Sequence, residues 1–243
     1  MCRMIAYASE EPLDVAPYLA SLADLSRCGN LLERWERRPG GNHPDGWGMA
    51  YRHGDETRIV RSGKPAGADP LLPDVRVRTD RFIGHVRYAS NTATVNAGNA
   101  HPFLAPGLAL AHNGTFKGKI GEEADGRNVS DTLVFLERLT DLWRERTLPR
   151  LSEVLTQMLC DRTLVGGYSA ANLLILSGGS LFVLRNYRKD EDYYTLYLRA
   201  MPGQAVVASE PIDDSSDWRP LGNGELLELR PGVPQSVFLT ATV

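Results

Sequence analysis

Cysteine stands at position 2, directly behind a methionine. Its small side chain favours removal of Met1, which would leave one residue holding both a thiol and a free α-amine. An unperturbed α-amine titrates near ~7.7–8.0, so a good fraction is neutral at physiological pH and can accept the thiol proton. This is the amine-as-base arrangement of N-terminal nucleophiles. Taken alone the cysteine carries little weight, because some residue must follow Met1.

Five further segments carry groups that such a nucleophile would need. In HPDGWG (43–48) the glycines, Gly46 among them, allow close backbone approach, and Trp47 could wall a pocket. A turn before a strand would look the same. In GHVRYAS (84–90), His85 and Arg87 share a face if the segment is a strand. The planar fork of Arg87 suits a carboxylate, although a lone strand arginine is usually a surface residue. NAHPF (99–103) places His101 beside a proline, the ordinary setting of a packed loop residue. In AHNG (111–114) the Asn-Gly pair predicts a type I′ hairpin turn. That turn would aim the Asn113 amide and the Gly114 N–H at one point, giving two donors for an oxyanion. SDT (130–132) puts Asp131 at a helix start, where capping is the common role.

The surrounding pattern predicts the elements that must position these groups. CRMIAYA (2–8) reads as a strand, and 14–26 as a helix with Val15, Leu19, Leu22 and Leu25 on one side. Residues 39–48 form a loop into the strand WGMAYRH, which pairs with TRIVR (57–61). FIGHVRYA (82–89) and LALAHNG (108–114) are strands flanking a long loop, 90–107, of the kind that often serves as a lid. Helices follow from Ser130, a candidate N-cap, and over 148–161. The last third holds six short strands: ANLLILSG, SLFVLRNY, YYTLYLRA, AVVASEP, GELLELRP and SVFLT. Gly178-Gly179 marks a tight hairpin between the first two. Strands at both ends with helices between them predict two packed sheets covered by helices, in a single domain spanning 1–243.

Composition narrows the function. The chain has 243 residues, 42% hydrophobic and 23% charged, with a net charge of −3. That balance is ordinary for a globular protein and points to neither nucleic acid nor an anionic membrane as partner. Arg34, Arg37 and Arg38 alternate with Glu33 and Glu36, which reads as a solvated face. Three cysteines without close spacing predict neither a disulfide scaffold nor a zinc site, and five histidines show no ligand spacing. No metal or cofactor is expected. Without a signal-like start or an apolar run of ~18 residues, a reducing cytoplasm is the expected location. The sequons at Asn113 and Asn128 are then chance matches.

In this order, Cys2, DGWG, RYAS, NAHPF, HNG and SDT resemble the class II glutamine amidotransferase domain, an N-terminal-nucleophile hydrolase. VVASEPIDDSSDWRPL (206–221) is similar to a segment of the stand-alone, YafJ-like members. The resemblance implies an α+β fold, a four-layer αββα sandwich of two mainly antiparallel sheets. It implies that Cys2 is the nucleophile and that Asn113 and Gly114 form the oxyanion hole. Arg87 would bind the α-carboxylate of glutamine and Asp131 its α-ammonium, with Ser90, His101, Gly46 and Trp47 completing the pocket. Synthase-fused members carry Trp-Ala-Thr-His after the arginine, whereas here Tyr88-Ala89-Ser90-Asn91 follows. The implied reaction is cleavage of the γ-amide of glutamine or a γ-glutamyl compound through a glutamyl thioester. The alternative is a subunit that delivers ammonia to, or acts with, a separately encoded synthase or peptidase. A serine nucleophile at Gly167-Tyr168-Ser169-Ala170-Ala171 is disfavoured, since the final glycine of a nucleophile elbow is missing. A binding module that retains the fold without activity is also disfavoured, because every expected polar group is present.

Overall fold

The computed structural model describes residues 2–29, 41–231 and 234–239. The Arg34, Arg37 and Arg38 face and the first residues of the 39–48 loop lie outside them.

Among the described residues, thirteen strands form two sheets, and every strand pair named within them is antiparallel. The first sheet has the order β11 (Arg219–Pro220), β9 (Tyr197–Met201), β10 (Gln204–Ala208), β1 (Arg3–Asp14), β4 (Arg78–Val86), β2 (Trp47–His53) and β3 (Glu56–Ser62). The second runs β13 (Gln235–Phe238), β12 (Glu225–Leu229), β8 (Ser180–Arg185), β7 (Tyr168–Ser177), β6 (Leu108–Phe116) and β5 (Phe103–Ala105). Among the described residues, five helices accompany them: α1 (Ala16–Arg27), a single turn α2 (Leu71–Asp74), α3 (Lys119–Arg127), α4 (Asp131–Leu142) and α5 (Leu148–Cys160).

Strand alternation builds the layers, since successive side chains point to opposite faces. On β1, Met4, Ala6 and Ala8 face the second sheet, where Ala109, Ala111, Leu174 and Leu176 meet them. Ile5 and Tyr7 point the other way, onto Leu19, Leu22 and Leu25 of α1. On β6, Leu108 and Leu110 face Phe135, Leu139, Leu151 and Leu155 of α4 and α5. The result is the expected αββα sandwich. Alanines dominate the inner faces of β1 and β6, which permits close sheet-to-sheet approach.

The C-terminal segment is stitched to the chain's first residues. Met4 N donates to Ser209 Oγ at 3.0 Å, and Ser209 N donates to the Met4 carbonyl at 2.9 Å. Arg3, fully buried, pairs with buried Glu210 at 2.7 Å and lies over the Tyr193 ring. A buried charge is tolerated only with such partners.

Several expectations need correction. Asn113 and Gly114 form no hairpin turn. They lie inside β6, paired with Asn172 and Ala171 of β7, and a bulge follows before Phe116. The predicted 82–89 strand leaves the ladder after Val86, and Tyr193–Leu196 lie before β9 begins. The loop at 90–107 contains β5 and two short 3-10 turns, Thr92–Thr94 and Ala97–Asn99. Helix α3 was not foreseen, because only Ile120 and Ala124 of its nine residues are buried and no apolar stripe announces it.

Enlarging an inner-face alanine should wedge the sheets apart. Ala111→Leu is expected to lower the unfolding free energy by about 1–3 kcal/mol, read from the urea midpoint. Leu104→Ser, at a half-exposed position on β5, should stay within ~0.5 kcal/mol.

Candidate active site

The inner faces of the two sheets continue past their alanines to polar residues at one end. Cys2 shares its face with Met4, and Asn113 shares its face with Ala109 and Ala111. There the backbone N–H of Cys2 donates to Asn113 Oδ1 at 2.8 Å, joining residues 111 apart in sequence. Because Oδ1 is taken, the Asn113 amide presents its Nδ2 protons, and Nδ2 is buried without a partner. An orphaned buried donor costs free energy, and a developing negative charge at that spot would recover it.

Gly114 follows in a conformation with φ near +156°, and a Cβ there would sit 1.9 Å from the Ala170 carbonyl oxygen. Only glycine fits between β6 and β7 at this point. The His112 side chain supports the same stretch from the helical side. Its Nε2 must donate to the Ala170 carbonyl at 3.0 Å, so its Nδ1 accepts the Thr132 hydroxyl at 3.0 Å. Burial holds His112 below the usual imidazole range, and so it stays neutral.

The Cys2 side chain is only 5% exposed, and its Sγ approaches the Tyr88 carbonyl oxygen at 3.9 Å. Burial by itself would raise the thiol's pKa. Burial is the largest single influence, yet the neighbouring groups, His85 first among them and the chain's terminal ammonium and the Tyr88 backbone after it, together outweigh it and hold the thiol down at about 6.

Arg87 emerges where β4 ends. Its N–H donates to the Gly46 carbonyl and its carbonyl accepts from Asp45 N, while Asp45 Oδ2 accepts from Ala89 N. The DGWG segment is therefore a backbone brace for the 87–89 turn. The guanidinium fork of Arg87 closes on Thr94, with Nη1 to its carbonyl at 2.8 Å and Nη2 to Oγ1 at 2.7 Å. Burial lowers the Arg87 pKa, opposed by the charges of Cys2, Asp45 and Asp131.

Asp131 is the first residue of α4, behind the N-cap Ser130 whose side chain accepts from Thr132 N. Its Oδ2 accepts from Phe116 N at 2.6 Å, and Oδ1 accepts from Thr132 N at 2.9 Å. A carboxylate has about four lone-pair sites, so acceptor capacity remains. Arg87, Asp131, Ser90 and Thr94 line a cavity of about 370 Å³, within the size range of small-molecule sites. The cavity thus offers a cation, from the turn after β4, and an anion, from the start of α4.

Three of the expected pocket residues, Gly46, Trp47 and His101, do not line this cavity, and Gly46 serves the backbone brace described above. Trp47 turns its ring to the α1 side of the first sheet, where Nε1 donates to Asp69 Oδ2 at 2.9 Å. It holds the strand in place rather than walling the cavity. His101 is buried as a brace, with Nδ1 3.1 Å from the His112 carbonyl oxygen and Nε2 3.1 Å from Ser130 Oγ. It ties the loop to the start of α4 and does not line the cavity. Thr94 and Asp45 were not foreseen as parts of the site. Only the aspartate in the DGWG segment hinted at its brace, and nothing near Thr94 announced its hold on Arg87. Among the described residues, no group of three or more histidine, cysteine or acidic side chains could hold a metal ion. No helix among them is long and apolar enough to cross a membrane.

Two antiparallel sheets lie between helical layers, with a cysteine at the head of a central strand and an asparagine facing it. Residues 1–204 match the family described as glutamine amidotransferases class-II, and the chain belongs to that family. YafJ of Escherichia coli, assigned as a glutamine amidotransferase, is 23% identical over 93% of this chain and 96% of its own length. An uncharacterized Methanocaldococcus jannaschii protein is 26% identical over 79% of this chain, which spans 62% of that relative's length. Among solved structures, a class-II glutamine aminotransferase domain protein from Silicibacter pomeroyi superposes with a TM-score of 0.66 at 20% identity, covering 99% of this chain and 100% of its own. The glutamine phosphoribosylpyrophosphate amidotransferase of B. subtilis has the same score and identity, and the match covers 100% of this chain and 50% of that one.

Gly114→Ala should destabilise the protein by at least about 2 kcal/mol in denaturant unfolding, since β7 backbone blocks the new methyl group. Gly126→Ala, in helix α3 with open space around it, should be neutral or stabilise by about 0.4–1 kcal/mol.

Proposed function

We propose that this protein hydrolyses the γ-amide of glutamine or of a γ-glutamyl compound, with Cys2 as nucleophile and a glutamyl thioester as intermediate. The observation that carries this reading is the 2.8 Å bond from Cys2 N to Asn113 Oδ1, with Asn113 Nδ2 left buried and unpaired beside the thiol. Once Met1 is removed, that nitrogen is a primary amine held at a fixed place, able to exchange protons with the leaving nitrogen.

A free amino-acid head group carries one carboxylate and one ammonium. Arg87 and Asp131 supply the opposite charges in the lining of one cavity. Sulfur attacks the side-chain carbonyl, the oxyanion takes hydrogen bonds from Asn113 Nδ2 and Gly114 N–H, and ammonia or an amine departs. Water then cleaves the thioester. The cavity is not lined by Cys2, so the Tyr88–Thr94 turn must shift for the amide to reach sulfur. Such a shift would also release the Arg87 fork from Thr94 for a substrate carboxylate.

The same site would serve a subunit passing ammonia to a partner, and the assay that tests hydrolysis separates the two. Purified protein is expected to release glutamate, with ammonia or an amine, from at least one member of a panel of γ-glutamyl compounds without added partner. Cys2→Ala should abolish release, and residual turnover by Cys2→Ala would refute the thioester route. Asn113→Ala should lower kcat by about 10²–10³. Arg87→Ala should act mainly on KM, and an unchanged KM would remove Arg87 from carboxylate binding.

A further inference from the structure

Cys2 stands just outside the sheet that it heads. The ladder between β1 and β4 opens at Arg3 and Val86, and the ladder between β1 and β10 opens at Ile5 and Ala208. Residues at a chain end lose order unless something ties them down. Cys2 is nevertheless buried, and both of its backbone groups are held. Its N–H donates to Asn113 Oδ1 on the second sheet. Its carbonyl oxygen accepts from Arg3 Nη1 at 3.2 Å.

The second bond is made by the neighbouring side chain, which folds back over the peptide before it. Arg3 is fully buried, and its guanidinium is fixed from several directions. Nε donates to Glu210 Oε1 at 2.7 Å, and Nη1 also donates to the Tyr193 carbonyl at 3.4 Å. The guanidinium carbon lies 4.6 Å from the centre of the Tyr193 ring. Glu210 is confined in turn, since a Cβ on Gly29 would sit 2.3 Å from its Oε1. Ser209, one residue earlier, is bonded to both backbone groups of Met4. A planar fork with donors at fixed angles lets one side chain serve a carboxylate and a carbonyl together. A buried ion pair is a weak source of stability, because apolar residues of similar size often do as well. What those residues could not do is grip the Cys2 carbonyl.

We propose that Arg3 and Glu210 are positioning residues for Cys2. Glu210 orients the guanidinium, and the guanidinium fixes the Cys2 carbonyl. With Asn113 holding the nitrogen at the other end, the residue is pinned at two points and cannot swivel. Thiol and amine then keep one setting relative to Asn113 Nδ2 and Gly114 N–H. Ser209 and Glu210 lie past residue 204, where the match to the family ends, so the first residue of the site is aligned by a segment near the other end of the chain. The consequence for catalysis rests on Cys2 being the nucleophile. A displacement of about 1 Å can cost a reaction ~10²-fold.

The test exchanges the pair for apolar residues. Arg3→Met/Glu210→Met removes one positive and one negative charge, so the net charge beside the thiol is unchanged and the fold is expected to survive. With glutamine, or the panel compound that wild type hydrolyses, kcat should fall at least about tenfold while KM stays within about twofold, because Arg87 and Asp131 are untouched. In a Cys28→Ser/Cys160→Ser background, which removes the two exposed thiols, iodoacetamide should meanwhile alkylate Cys2 several-fold faster. A released terminus uncovers a thiol that is otherwise only 5% exposed. Slower turnover beside faster alkylation is the signature of lost alignment. A folded double variant with wild-type kcat, or with wild-type alkylation, overturns the proposal. Should the double variant fail to fold, Arg3→Lys decides. Its single ammonium keeps the charge opposite Glu210 without the fork, so the same two changes are expected, and wild-type values of either overturn the proposal. If wild type hydrolyses no panel compound, the proposed function falls, and the alkylation rate alone still decides whether the pair holds Cys2.

Discussion

The hydrogen bond between Cys2 and Asn113 spans the gap between two sheets, and it exists only because that gap is narrow. The spacing is set far from the site, by Ala6 and Ala8 on one inner face and Ala109 and Ala111 on the other. Larger residues there would hold the sheets further apart, and a nitrogen and an amide oxygen on opposite sheets could not meet at 2.8 Å. The geometry of the site is therefore a property of the whole sandwich. Leucines on the outer faces, packed on helices, supply the burial that presses the layers together.

Around that bond the protein spends histidine in an unusual way. His101 and His112 are buried, neutral and used as rigid connectors between β6, the preceding loop and the start of α4. Each fixes the chain on either side of a functional group. His112 sits beside Asn113, and His101 reaches Ser130, the neighbour of Asp131. An imidazole serves well here because it offers a donor and an acceptor on one flat ring that can also stack, as His112 does on Phe116 at 4.3 Å.

Much of this was legible in the sequence wherever one residue pattern had one physical reading. Alternation marked β2 to its exact ends, Trp47–His53, and Ser130 announced the start of α4. The order of the polar motifs identified the family. What failed were positions where one residue serves two masters. Asn-Gly is a turn signal because both residues accept positive φ, yet here glycine was needed for close passage of β7, and the strand ran on. Trp47 lay in a motif beside the nucleophile, but alternation sent its side chain to the opposite face. The hold of Thr94 on Arg87 could not be read at all, since it joins a loop residue to a turn through a fold that must be known first.

The stitching of Arg3 and Met4 to Ser209 and Glu210 sets an order of events on the ribosome. Strand β1 is the first to be made, yet one of its two neighbours, β10, ends at Ala208. At about 5–20 residues per second, roughly 10–40 s pass between synthesis of the first strand and arrival of the segment that encloses it. During that interval β1 has one unpaired edge, and Cys2 beside it is not yet enclosed. Once Glu210 pairs with Arg3, β1 and the Cys2 beside it are sealed into the middle of the sheet.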